Sequence, residues 1–233
     1  MQDNNEGFDA VSDAIAAIAN GEFVIVVDDT DRENEGDLII AAEKISTEQM
    51  AFLVKHSSGL VCVAMGEQRL QALQLPQMVA HNADPYRTAF TVSVDYKYGT
   101  SSGISAADRA LTLRALADPH SQAREFHRPG HIFPLRARAG GVLARPGHTE
   151  AAFDLARLAG LSPVGVLCEI VNEDGSMARR PELLLFARKH GLKIITIAAM
   201  IAYREQHLPI ALTEKPAATS RQNRLLDSAL SYI

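Results

Sequence analysis

Phe23-Val24-Ile25-Val26-Val27, then Asp28-Asp29-Thr30-Asp31-Arg32-Glu33-Asn34-Glu35-Gly36-Asp37, then Leu38-Ile39-Ile40-Ala41-Ala42 follow one another without a break. The outer runs are apolar and rich in β-branched residues, which reads as two buried strands. The polar stretch between them is their loop, and a connection this short permits antiparallel pairing.

Outward from this pair, helical and strand periods alternate. Val11, Ile15 and Ile18 repeat at helical spacing after a candidate Asp9 cap, and Asn20-Gly21 supplies a stop. Ser46-Thr47-Glu48-Gln49 is a capping-box pattern ahead of Met50, Leu53 and Val54, and a strand follows over 60–65. The spacing predicts a strand over 90–94 and a helix opened by Ser105-Ala106-Ala107-Asp108 and running to Leu116. Beyond Pro119 come a strand over 132–135, a helix over 149–158, a strand over 164–171, a turn over 172–175, a helix over 182–189 and a strand over 193–197. The expectation is an α+β (mixed α/β) fold, a three-layer sandwich with a mixed, twisted β-sheet flanked by helices. With no internal repeat and no linker before about Gln206, residues 1–205 read as a single catalytic domain. Residues 206–233 are a tail of weak periodicity in which Leu225, Leu226 and Leu230 suit a short helix.

Composition excludes several classes of function. A formal charge of −5 and a pI near 5.9, with no basic stripe, argue against a nucleic-acid partner. Met1-Gln2-Asp3-Asn4-Asn5-Glu6 lacks the basic flank and apolar stretch of a secretion signal, and no apolar run nears the roughly 20 residues that cross a bilayer. Cys62 and Cys168 both sit in apolar runs and read as core thiols of a reducing compartment, so a cytoplasmic location is expected.

The loop places six carboxylates and one arginine within ten residues. Two like charges about 4 Å apart repel by roughly 4 kcal/mol at an effective dielectric near 20, so such a loop needs counter-charge or wide spacing. A hard divalent cation supplies it, held by one or two of the acids with waters left for a ligand to replace. A solvated acidic run neutralised by Arg32 and salt is the plain alternative. A calcium loop counted from Asp31 places acids at the first, third and fifth positions and Gly36 at the sixth, but its twelfth position is Ala42 and strands flank it.

A second constellation is Leu143-Ala144-Arg145-Pro146-Gly147-His148-Thr149-Glu150-Ala151, which leads into a helix. A helix start directs backbone amides at an anion, Arg145 carries a fork suited to phosphate or carboxylate, and His148 is a candidate metal ligand. The plain reading makes Thr149 a cap and His148 an exposed loop residue. Arg128-Pro129-Gly130-His131 repeats the same tetrapeptide upstream, before the 132–135 strand. Tyr98-Gly99-Thr100-Ser101-Ser102-Gly103 offers hydroxyls and amides, and Glu169 ends an apolar run where an acid is either paired or placed for proton transfer. These features together describe a metal-dependent enzyme for a small phosphorylated sugar.

Taken in order, Asp31-Arg32-Glu33-Asn34-Glu35-Gly36-Asp37, Ser105-Ala106-Ala107-Asp108-Arg109, Arg128-Pro129-Gly130-His131 and Arg145-Pro146-Gly147-His148-Thr149-Glu150-Ala151 closely resemble the 3,4-dihydroxy-2-butanone 4-phosphate synthase family of riboflavin biosynthesis, over roughly residues 8–204. The resemblance implies a lyase that converts D-ribulose 5-phosphate into L-3,4-dihydroxy-2-butanone 4-phosphate and formate. It implies Mg2+ or Mn2+, two per site, and a homodimer with sites near the subunit interface. It assigns the metal to Glu33 and His148, and substrate contacts to Arg32, Glu33, Asp37, Arg145, Pro146, Gly147, His148, Thr149 and Glu169. His131 and Glu169 are then essential for catalysis, with Asp37 sharing the proton transfers, and Cys62, Ser102 and Arg109 are neighbours of the site. The family often carries threonines where Ser101 and Ser102 stand. Many relatives are fused to a cyclohydrolase whose zinc site uses three cysteines; with two cysteines and an end at Ile233, the monofunctional form is expected. Two alternatives share parts of this chemistry: another metal-dependent sugar-phosphate isomerase or aldolase, which releases no formate, and a non-catalytic metal- and phosphate-binding module.

Overall fold

The apolar runs on either side of the acidic loop form β1 (Val24–Val27) and β2 (Gly36–Ala41), paired antiparallel with Val26 opposite Asp37. Every residue of both strands is buried, because helices cover both faces of the sheet. The computed structural model describes residues 7–207. The other strands are β3 (Cys62–Met65), β4 (Val94–Tyr96), β5 (Phe126–Arg136), β6 (Val164–Glu169) and β7 (Lys193–Thr196). They complete one mixed sheet in the order β4-β5-β3-β6-β2-β1-β7, with β3/β5 and β1/β7 parallel and the other pairs antiparallel.

Among the described residues seven α-helices supply the two outer layers: α1 (Val11–Ala19), α2 (Thr47–His56), α3 (Glu67–Ala72), α4 (Ala106–Ala117), α5 (His148–Leu158), α6 (Arg180–His190) and α7 (Ile197–His207). One core forms where Met50 and Leu53 of α2, Leu113 and Leu116 of α4, and Leu183 of α6 meet Ile25, Leu38, Val63 and Val166. The opposite core sets Ile18 of α1, Ala151 and Leu155 of α5, and Met200 of α7 against Val24, Ile39, Cys62 and Leu167. The period-two alternation of the strands assigns each side chain to one core or the other, which gives the expected three-layer sandwich. Among the described residues no helix is long and apolar enough to cross a membrane.

Several local expectations are corrected. Asp9 does not cap α1, whose cap position is Ala10; its carboxylate instead accepts from Ile194 N at 2.9 Å and Lys193 Nζ at 3.0 Å, tying the incoming chain to β7. The 90–94 segment is not a continuous strand. Phe90 and Thr91 make isolated bridges, and the ladder begins at Val94. Arg128-Pro129-Gly130-His131 lies within β5 rather than before it, and the Arg128–Pro129 peptide bond is cis. Ser46 and Gln49 form the full capping box, but at α4 only Ser105 caps, because the Asp108 carboxylate turns to Ser101 and Gly103. The short α3 and the terminal α7 went unread; α7 passes the boundary set at residue 205. The helix expected around Leu225 to Leu230 lies outside the described residues.

Candidate functional site

The acidic loop is a folded object. Asp28, at the end of β1, accepts from Glu35 N at 2.9 Å, Glu33 N at 3.1 Å and Arg32 Nη1 at 2.7 Å, so its buried carboxylate braces the loop from inside. Asp29 accepts from Thr30 Oγ1 and Asp31 N at the surface. From the cap position of α6, Arg179 reaches over and donates to the carbonyls of Glu33 at 2.7 Å and Asn34 at 2.5 Å. Asn34 takes a left-handed φ of 54°, a conformation that Asn tolerates better than most residues. The six acids are therefore separated: Asp28 inward, Asp29 and Asp31 outward, Glu35 beside Arg179, and Glu33 and Asp37 toward His148.

His148 is the first residue of α5 and is buried, not the exposed loop residue of the plain reading. Its Nε2 faces the carbonyl oxygen of Val26 at 3.2 Å, where only an N–H can donate. In the neutral ring, Nδ1 then carries the lone pair, and it points at Glu33 Oε2, 3.5 Å away, and Asp37 Oδ1, 3.7 Å away. Burial works to lower the His148 pKa, but Asp37, Glu33 and Asp28 outweigh it and hold it at about 9. Burial pushes the Asp37 carboxyl up to about 8, against the attraction of His148. Glu33 stays below the usual range because His148 and Arg32 overcome its partial burial.

Asp37 and Glu169 are direct partners in the β2/β6 ladder, so both acids sit at one end of the sheet on one face. Asp37 Oδ1 is buried without a hydrogen-bond partner, whereas Glu169 Oε2 accepts from Ser58 Oγ at 2.7 Å. The adjacent Cys168 thiol is pushed up to about 11 by burial, and Cys62 is raised well above its ordinary value for the same reason, so both remain thiols at neutral pH.

No side chain caps α5; its cap position is Gly147, and Thr149 lies inside the first turn. Its amides therefore face the same end of the sheet as the acids, as an anion-binding helix start requires. Arg145 does not hold its fork open. Nη1 donates to Glu150 at 2.6 Å, and Nε and Nη2 donate to the Tyr86 carbonyl at 3.3 and 3.0 Å. Tyr86 also donates its hydroxyl to Arg32 O at 3.0 Å and lies under the Arg32 guanidinium, 4.9 Å from ring centroid to Cζ. Tyr86, Arg179 and Ser58 are thus part of the arrangement, and none was singled out from sequence. Their links span 145 and 111 residues in the Arg179 and Ser58 cases, beyond any local pattern.

The structure brings Arg32, Glu33, Asp37, His148 and Glu169 together, with Arg145 to Thr149 alongside. It does not bring His131 to them: β5 is separated from β6 by β3, about 10 Å away at ordinary strand spacing. Two cavities open beside the cluster. One of about 600 Å3 is lined by Asp28 to Arg32, Pro146 and the start of α7, and another of about 680 Å3 by Arg138, Arg145, Thr149 and Glu150.

Glu33, His148 and Asp28 place one donor atom each within 4.8 Å of one another. Both Asp28 oxygens already accept hydrogen bonds within the loop, whereas Glu33 accepts at Oε2 alone, from Arg32, so Glu33 and the Nδ1 of His148 are the better ligands, with the orphaned Asp37 oxygen beside them. Oxygen donors joined by a single imidazole fit Mg2+ or Mn2+ rather than a thiolate-seeking metal.

A family model described as 3,4-dihydroxy-2-butanone 4-phosphate synthase matches residues 12–203. A protein of that name from Agrobacterium fabrum is 55% identical over 208 residues, which covers 89% of this chain and 98% of the relative. A probable bifunctional riboflavin biosynthesis protein, chloroplastic, from Oryza sativa subsp. japonica is 59% identical over 204 residues, and there the match spans 38% of the relative. The crystal structure of a 3,4-dihydroxy-2-butanone 4-phosphate synthase in complex with two magnesium ions superposes with a TM-score of 0.83 at 57% identity, covering 86% of this chain and 98% of that one.

Proposed function

Because the chain belongs to the 3,4-dihydroxy-2-butanone 4-phosphate synthase family, a lyase family of riboflavin biosynthesis, we propose that Glu33 and His148 hold the divalent metal of its reaction and that Asp37 and Glu169 move its protons. The family's reaction turns D-ribulose 5-phosphate into L-3,4-dihydroxy-2-butanone 4-phosphate and formate. The atoms balance without an oxidant or net water, so the protein must direct proton transfers and a carbon-skeleton rearrangement. The observation that carries the residue assignment is the convergence of the Glu33 carboxylate and the orphaned Asp37 oxygen within 3.7 Å of His148 Nδ1.

A bound Mg2+ or Mn2+ supplies Lewis-acid stabilisation of the substrate's oxygens as negative charge develops on them. We assign two ions to each site, since a solved relative holds two magnesium ions. The Val26 carbonyl fixes the ring of His148 through Nε2, the outer contact that orients a ligating imidazole. Asp37, buried and with no donor on Oδ1, is placed beside the metal ligands to exchange a proton with the substrate. Glu169, oriented by Ser58, faces the same substrate from the neighbouring strand. The amides at the start of α5, from His148 onward, receive an anionic group, and that side is walled by Tyr86, with Arg32 over its ring and Arg145 bonded to its carbonyl. His131 acts from the far end of the substrate, since an extended pentose phosphate is long enough to reach across β3.

We place the protein in the cytoplasm as a homodimer. The exposed apolar side chains Leu60, Met78, Val79, Tyr86 and Ile104 lie on the segments that border the site and suit burial against a second copy, and the two buried cysteines are free.

Titration with Mn2+, followed by the resonance of the free ion, tests the ligand assignment without reference to turnover. Wild-type protein should bind the ion, while His148→Ala and Glu33→Gln should each weaken binding at least tenfold. Binding unchanged in both variants contradicts the assignment.

A further inference from the structure

The Arg-Pro-Gly-His motif of β5 builds a second constellation. Between β4 and β5 the ladder runs from the pair Val94/Ile132 directly to Asp95/His127, so residues 128–131 arch out of register. Gly130 makes the arch possible, since a Cβ there would stand 2.1 Å from the Val94 carbonyl carbon, and its amide donates to Ser93 Oγ at 3.1 Å. The arch delivers His131 onto Asp95. One carboxylate oxygen, Oδ1, accepts the His131 backbone N–H at 2.8 Å, and the other, Oδ2, meets the ring at Nδ1 at 2.7 Å. Asp95 is buried, while the His131 side chain remains 42% exposed.

A third segment closes on this pair. A Cβ on Gly103 would lie 2.0 Å from Asp95 Oδ2 and 2.8 Å from His131 Nδ1, so the 101–103 turn packs against the dyad itself. The buried Asp108 holds that turn, accepting from Ser101 N, Ser101 Oγ and Gly103 N at 3.1, 2.8 and 3.0 Å.

We propose that Asp95 is the positioning residue of His131: by gripping both the backbone N–H and Nδ1, it holds the neutral ring as the Nδ1–H tautomer and presents Nε2 to the substrate as a proton acceptor. The inference rests on the catalytic role given to His131 above. It explains why a buried carboxylate faces an exposed histidine that stands apart from the metal ligands, and why Gly103 must lack a side chain. The backbone contact makes the prediction sharp. In an Asp95→Asn protein the amide oxygen remains the acceptor for His131 N–H, so the NH2 group is turned toward Nδ1. That nitrogen must then accept, and the ring proton moves to Nε2, the wrong tautomer for a base.

The test uses the full Mg2+-loaded protein labelled with 15N-histidine, with the His131 signals identified by their loss in His131→Gln. At a pH of about 8.5, above the ordinary imidazole range, wild-type His131 should show a protonated Nδ1 and a bare Nε2. Asp95→Asn should show the reverse, with kcat reduced on the order of 10^2- to 10^4-fold and KM changed less than about threefold. A wild-type ring protonated at Nε2 overturns the proposal whether or not the variant folds. So does an Asp95→Asn protein that turns over at the wild-type rate, or one that loses activity with its tautomer unchanged. Full turnover in His131→Gln instead removes the catalytic role of His131, on which the inference stands.

Discussion

Asp37 and Glu169 face each other across one rung of an antiparallel ladder, the first buried and the second half-buried, and among the described residues only Glu169 has a hydrogen-bond donor. A buried carboxylate oxygen without a hydrogen-bond donor destabilises the fold that contains it, and at Asp37 the cost of burial exceeds the attraction of His148 3.7 Å away. Asp37→Asn should therefore raise the melting temperature of the metal-free protein while lowering turnover at least 100-fold. Calorimetry in excess EDTA together with a formate assay checks both halves; a variant that is less stable and fully active contradicts the role given to Asp37.

Arg179 holds the loop through the carbonyls of Glu33 and Asn34 and lies 3.8 Å from the Glu35 carboxylate. Its removal should free the loop without opening the core. Arg179→Ala is expected to weaken Mn2+ binding about 10- to 100-fold, as loss of an orienting outer contact does. Unchanged affinity would show that Asp28 alone holds the loop.

Asp154, fully buried on α5, accepts from Val142 N, Arg157 and the buried Arg204 of α7. Removing it alone strands the guanidinium. Asp154→Ala should cost about 3–5 kcal/mol, and Asp154→Leu combined with Arg204→Met should recover most of that loss. Denaturant unfolding of both variants decides it: a double variant no more stable than the single one refutes the buried-charge explanation.

His56 of α2 and His190 of α6 pack with Phe52 and Phe186, their rings 5.2 Å apart. Partial burial, then neighbouring cations, lower both pKa values from 6.5. A depressed folded-state pKa contributes stability that is present above 6.5 and lost as pH falls through the folded value. The melting temperature should accordingly drop more between pH 7.5 and 5.5 in the wild type than in a His56→Gln/His190→Gln protein. Parallel pH dependence of the two proteins would contradict it.

The fold was legible where hydrophobic period is strong, as at β1, β2 and α5, and where a local cap agrees with it, as at α2. It was less so where a strand is built by irregular pairing. The 90–94 run has strand composition, yet only isolated bridges form there, and the polar residues 128–131 belong to β5 because Gly130 admits the Val94 backbone. The acidic loop announced itself by charge density and His148 by its place at a helix start, while the choice of Glu33 and Asp37 among the six acids came from the family resemblance. Asp95, Arg179, Ser58 and Tyr86 could not, since each acts through a partner tens of residues away that only the sheet order brings near. Arg145 was read as an open anion fork because its type suggested one; the fold instead closes it on Glu150 and Tyr86.

The most direct measurement is formate released from ribulose 5-phosphate by the purified protein, with excess EDTA, after Mg2+ is restored, and in His148→Ala. Formate that disappears with chelator, returns with Mg2+ and stays at background in the variant is the predicted result. Formate released at the wild-type rate by His148→Ala, or undiminished in EDTA, would contradict a metal-dependent site built on His148.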